Sequence, residues 1–162
     1  MVRVPLEPEV YDLIFTEGEP DGLWPTTPDP RQHVRRSIYL FAKHNVRLPL
    51  FEAFDKPDML TSCPVRPVST FAPQALILFN GPFLQEQSKA LAARLLRECG
   101  PDADRQIDRA YRLALARPPR PDEREAARTF LRTQADLLGD RLAALADFCL
   151  AMFNRNEFLY VP

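Results

Sequence analysis

From residue 83 to the end, apolar positions recur at steps of three and four, the period of helices that bury one face. Leu84, Ser88, Leu91, Ala92, Leu95 and Cys99 make one such row, closed by Gly100-Pro101. Ile107, Ala110, Tyr111, Ala114 and Leu115 make the next, closed by Pro118-Pro119. Pro121 opens a third helix, with Asp122 and Glu123 favourably placed against its dipole. Its inner face is expected to carry Ala127, Phe130, Leu131, Gln134 and Leu138, and Gly139 stops it. Leu142, Leu145, Ala146, Cys149, Met152 and Phe153 form the last and cleanest row. The short connections between these segments predict antiparallel neighbours in a small bundle.

The first half follows different rules. Residues 1–35 hold no sustained period, and "EGEPDGLWPTTPDPRQ" reads as Pro/Gly/Asp-punctuated loop around the lone Trp24. A tryptophan in such a loop is expected to pack on a core. Ile38 to Phe41 are the best strand candidate in the chain. Further on, "STFAPQALILFNGPF" reads as helix punctuation. Ser69 and Thr70 are N-cap types, and Pro73 is tolerable in the first turn. "QALILF" is apolar enough to predict a buried short helix. Gly81 is expected to supply a left-handed stop, and Pro82 to open the following helix.

Composition narrows the class. A chain of 162 residues, 46% hydrophobic and 27% charged, can bury a core of its own. Net charge is −1 and acidic residues interleave with the 18 arginines, which speaks against a nucleic-acid face. No apolar run approaches the roughly 18 residues of a membrane span. The start "MVRVPLEPEV" has no apolar signal-peptide core. Twelve of the seventeen prolines fall in residues 1–82, which sets that half apart from the helical one. Leu13, Ile14, Phe15 and Trp24 are costly to leave in water, at roughly 1.5–3 kcal/mol each. They are therefore expected to lie on the helical half or on sequence outside this chain, leaving an apolar patch and a tendency to self-associate.

Candidate chemistry is sparse. Cys63, Cys99 and Cys149 are too widely spaced for a zinc or haem motif, and no phosphate loop, metal-protease helix or G-x-S-x-G elbow occurs, so no cofactor or metal is read. Cys99 and Cys149 lie on apolar rows and read as buried thiols; Cys63 lies in a loop. His33 and His44 are the only histidines, and a Cys63–His44 nucleophile pair has no local signature. Asp55 and Asp58 flank Pro57, either as turn carboxylates or as an acid/base or cation-binding pair. Arg66 sits between prolines and calls for a carboxylate partner, for which Asp55 and Asp58 are the candidates.

These residues together resemble the Domain of Unknown Function 1553 family. "RRSIYLFAKHNVRLPLFEAFDKPDMLTSCPVRPVSTFAPQALILFN" carries, in order, R-R-S-I/V-Y, F-D-x-P-D, S-C-x-x-R, S-T and P-Q-A-L-x-L-x-N. "AYRLALARPPRPDE" is similar to its Y-R-L-A-x-G-R-x-P-x-x-x-E element, and "NRNEFLYVP" to its N-x-N-E-F-x-Y-V ending. Two positions depart: Ala116 stands where the family usually has glycine, and Arg120 where a Ser/Thr N-cap is common. The resemblance implies the C-terminal portion of a larger, exported or periplasmic multidomain protein of planctomycete type, often with a cytochrome c-like module. It implies no catalytic residues.

The fold expected is mainly α. It has a C-terminal bundle of about four to five helices (83–162), a preceding hallmark block (36–82) with a short β element, and an irregular proline-rich segment (1–35). The function expected is a non-catalytic structural or interaction module that meets upstream domains or a protein partner. The alternative is part of a carbohydrate- or redox-linked enzyme with Asp55, Asp58, Cys63 and Arg66 lining a site.

Overall fold

The computed structural model of the chain describes residues 1–15, 23–43, 46–57, 63–65, 69 and 72–160. Helices dominate. They are α1 (Pro8–Ile14), α2 (Pro30–His33), α3 (Pro49–Ala53), α4 (Ala72–Asn80), α5 (Pro82–Cys99), α6 (Ala103–Leu115), α7 (Pro121–Leu138), α8 (Arg141–Phe153) and α9 (Asn156–Leu159). Five of them begin on a proline: Pro8, Pro30, Pro49, Pro82 and Pro121. A first-turn proline gives up no hydrogen bond and arrives with a helical φ, so much of the proline excess is helix initiation. In α6 and α8, which start without proline, aspartate serves. Asp102 accepts from the Asp104 and Arg105 amides at 3.0 and 3.2 Å, and Asp140 from Leu142 at 2.8 Å.

The chain divides into two compact units, Met1–Thr70 and Phe71–Pro162. In the first, residues 2–4 run extended between two partners. Val2 donates to the Tyr39 carbonyl at 2.9 Å and accepts from Phe41 at 2.6 Å, which makes a single parallel bridge to Leu40. On the other side, Arg3 exchanges bonds with Thr27, through the Thr27 hydroxyl and amide, both at 2.9 Å. The strand expected over Ile38 to Phe41 does not form. Ser37–Tyr39 are a 3-10 turn with Ile38 exposed, and the β element reduces to that one bridge. An apolar tetrapeptide with one short partner has too little pairing to extend a ladder.

Trp24 is buried beside Phe15 and Val46, with Leu6, Tyr11, Ile14 and Phe41 around them, and its indole donates to the Val4 carbonyl at 2.8 Å. Ile14, Phe15 and Trp24 thus find cover within the first unit, beside Val46 and Phe41. The Leu13 side chain lies outside the described set.

In the second unit, α8 is the central helix. Ala144, Leu145, Ala146, Phe148, Cys149 and Met152 are all buried, on more than one face, because α5 and α7 flank it and α4, α6 and α9 also touch it. Leu84, Ser88, Ala92, Leu95 and Cys99 form the inner row of α5; Ile107, Ala110, Tyr111 and Leu115 that of α6. The inner row of α7 differs from the one expected. It is Glu123, Ala127, Leu131 and Gln134, with Phe130 at its edge, 37% exposed but its ring 6.4 Å from that of the buried Phe148, and with Leu138 45% exposed outside it. Gln134 donates to Asp147 of α8 at 2.7 Å, so this row carries polar contacts that an apolar count does not detect. Nor is α4 fully buried: Gln74 and Leu78 face inward, one turn apart, while Leu76 and Phe79 are exposed. A nine-residue helix packed on one side buries one narrow row, whatever its composition.

Gly81 is also not left-handed; its φ is −66° and its ψ 131°. Its requirement is space. A Cβ there would run into the Ile77 carbonyl oxygen, to which the Gly81 amide donates at 2.9 Å.

Candidate functional site

Asp55 ends α3. Its amide donates to Glu52 at 3.1 Å and the Lys56 amide to Phe51 at 2.9 Å, the paired bonds of a Schellman stop, with Asp55 itself at φ 54°. Aspartate tolerates that left-handed conformation better than most side chains. The turn throws its carboxylate at Ser69, whose amide donates at 2.6 Å and whose hydroxyl donates at 2.8 Å. A carboxylate committed to a helix stop and a serine fourteen residues away organises a loop. Ser69 is therefore a partner of Asp55.

Cys63 is exposed, and its thiol donates to the Val65 carbonyl at 3.2 Å. Asp58, Arg66, Thr70 and His44 lie outside the described residues, and with them the anticipated Arg66–carboxylate pair and the Cys63–His44 pair. Among the described residues, no three His, Cys, Asp or Glu side chains gather as a metal ion would need.

The densest charge constellation is elsewhere. Arg117 lies between two carboxylates and reaches each with two nitrogens, Glu123 at 2.7 and 2.9 Å and Glu157 at 2.6 and 2.8 Å. Arg155 adds a bond to Glu123 at 2.7 Å and one to the Tyr111 hydroxyl at 3.2 Å. Both guanidinium groups also lie over the Tyr111 ring, 5.6 and 5.5 Å from its centre. The Glu123 carboxylate further accepts from the Arg120 amide at 2.9 Å. This is half of a capping box: arginine has no acceptor to return, so the departure at Arg120 leaves the other half unmade.

Glu123 is buried, and burial alone would raise its pKa. The Arg117 hydrogen bonds outweigh that and, with the Arg120 amide and Arg155, hold it down at about 2. Glu157 is lowered as well, chiefly by Arg117, and Arg117 is raised by the same pairing. Tyr111 is raised by burial. Arg117, Glu123 and Glu157 therefore stay ionised near neutral pH, fixed on one another. Paired guanidinium and carboxylate groups of this kind clamp helices and have no proton to exchange.

A shallow groove between α5, α6 and α7 is lined by further charges, among them Glu98, Asp104, Asp108, Arg109, Arg112 and Arg124. Glu98 is shared by Arg94 and Arg109 at 2.7 and 2.8 Å, Asp108 by Arg112 and Arg124 at 2.8 and 3.0 Å, and Arg128 takes Asp104 at 2.6 Å. Each carboxylate is lowered by its arginines, Glu98 to about 2. Arg109–Glu98 joins α6 to α5, and Arg124–Asp108 and Arg128–Asp104 join α7 to α6, while the other two pairs lie within one helix.

Only the resemblance signalled the Tyr111–Arg117–Glu123–Glu157 cluster in the sequence. Tyr111, Arg117 and Glu123 are the Y, R and E of one motif, Glu157 the E of another, and they meet here in space. The ending also reaches the P-Q-A-L motif, since the Tyr160 hydroxyl donates to the buried Gln74 at 2.7 Å.

The family model described as "Protein of unknown function (DUF1553)" matches residues 4–131. No curated protein and no solved structure matches the chain. With most of its length matched, and with motif blocks whose side chains join one another, the chain belongs to the DUF1553 family.

Proposed function

We propose that this chain is a non-catalytic structural or interaction module, working as part of a larger multidomain protein. What supports the reading is how the motif residues are used. Asp55 ends a helix and holds Ser69; Tyr111, Arg117, Glu123 and Glu157 hold one another; Gln74 holds the chain ending. A reaction centre keeps at least one acid, base or nucleophile in position for a substrate. These groups are instead committed to partners within the fold.

The test is whether function follows folding. In cells that depend on the parent protein, Glu123→Gln should reduce function only as far as it reduces folded protein. Ala116→Gly, which relieves a strained helix end without touching Glu123, should restore both. For Asp55→Asn, function and folded amount should fall together. A fully folded Asp55→Asn protein that has lost function would overturn the reading and point to chemistry at Asp55.

A further inference from the structure

Helix α4 packs on α5 and α8 through one narrow row. Of its nine residues only Gln74 and Leu78 are buried, while Leu76 and Phe79 are 59% and 47% exposed. One contact to its buried row comes from the far end of the unit, where Tyr160 reaches Gln74 across 86 residues of chain. Tyr160 is set in place by α9, and α9 is itself docked by charge more than by burial. None of the four α9 residues is buried. The helix packs on α6 and α8 and not on α4. Its ties are Glu157 to Arg117, the neighbouring Arg155 to Glu123 and Tyr111, and Phe158 on Phe153 with ring centres 5.1 Å apart. At the root of the segment, the Asn154 Oδ1 atom is buried with no hydrogen-bond partner among the described residues. An unsatisfied buried acceptor weakens the closed form relative to one in which water reaches it.

We propose that residues 154–160 are a reversible clasp that seats α4. When the clasp lifts, Gln74 loses its tie to Tyr160, and α4 is released with its apolar residues Leu76 and Phe79 while α5 to α8 stay folded. Segments with few buried contacts and solvent-accessible polar ties open well below the free energy of global unfolding. The large apolar core of α5 to α8, centred on Leu95, Ile107, Cys149 and Met152, gives the rest of the unit no reason to follow.

Native-state hydrogen exchange on the whole chain tests this, with Glu157→Gln as the main variant. Glu157 belongs to a helix that does not touch α4, so a purely local role leaves α4 exchange unchanged. The clasp instead requires α4 amides to exchange faster, by about fivefold, the factor set by losing the net worth of one hydrogen bond. Tyr160→Phe, which removes the donor to Gln74, should do the same, and amides in α5 and α8 should keep their rates in both variants. Wild-type α4 exchange in both variants would overturn the proposal. So would α5 and α8 accelerating in step with α4, since the helices would then open as one.

Discussion

Arg155 donates to the Glu123 carboxylate at 2.7 Å across 32 residues of sequence, so the end of the chain is tied by charge to the start of α7. The tie has a pH signature. The Glu123 carboxyl is held at about 2 in the folded chain, against an ordinary value of 4.5. The folded state thus binds a proton less readily than the unfolded one. The stabilisation is complete above the ordinary value and is lost as pH falls from about 4.5 toward 2. Helix melts between pH 7 and pH 2 should show stability dropping in that window. Glu123→Gln should start lower and fall less steeply; a parallel fall would show that Glu123 does not carry the effect.

Ala116 follows α6 at φ 57°, the left-handed conformation, where the family usually has glycine. A side chain there costs about 1–2 kcal/mol, part of which glycine gives back as unfolded-state entropy. Ala116→Gly should therefore stabilise the second unit by about 0.5–1 kcal/mol. Denaturant melts followed by far-ultraviolet circular dichroism measure it, and a destabilised variant would show that the Ala116 methyl makes a contact worth more than the strain.

Gly81 should resist substitution for a steric reason. Even Gly81→Ala places a methyl against the Ile77 carbonyl, and overpacking of that kind costs about 1–3 kcal/mol. Both Gly81→Ala and Gly81→Val should destabilise, whereas Gly139→Ala, with open space around it, should lose only what its positive φ demands. A Gly81→Ala variant as stable as the wild type would remove the steric argument.

The three thiols should separate by rate. Cys99 and Cys149 are buried, and burial pushes the Cys149 thiol up to about 12. Cys63 is exposed and should take one equivalent of a thiol reagent from the native chain, with the other two reacting only in denaturant. Fast native labelling of Cys149 would contradict the central place of α8.

The helical half was legible because its core is apolar and periodic. Leu84 to Cys99, Ile107 to Leu115 and Leu145 to Met152 stand where the three- and four-residue steps put them, whereas Leu142, the expected start of the last row, is 43% exposed in the first turn of α8. What the pattern of α7 hid is that its inner row starts at a charged residue, Glu123, whose burial depends on Arg117 and Arg155, 6 and 32 positions away. No local pattern encodes a partner at that distance. Gly81 was misread for a related reason: a glycine before a proline looks like a left-handed stop, and only coordinates show that a carbonyl occupies the place of its side chain. At Asp55 the turn-forming alternative was legible in the flanking proline, but its bond to Ser69 was not.

Which unit holds the tryptophan also decides what spectroscopy can see. Trp24 is the sole tryptophan, and it sits in the cluster of Phe15 and Val46 in the first unit. Its fluorescence therefore reports the first unit, while circular dichroism is dominated by the long helices α5 to α8 of the second. Where the two units melt apart, the two signals will give different midpoints, and neither will be the stability of the whole chain.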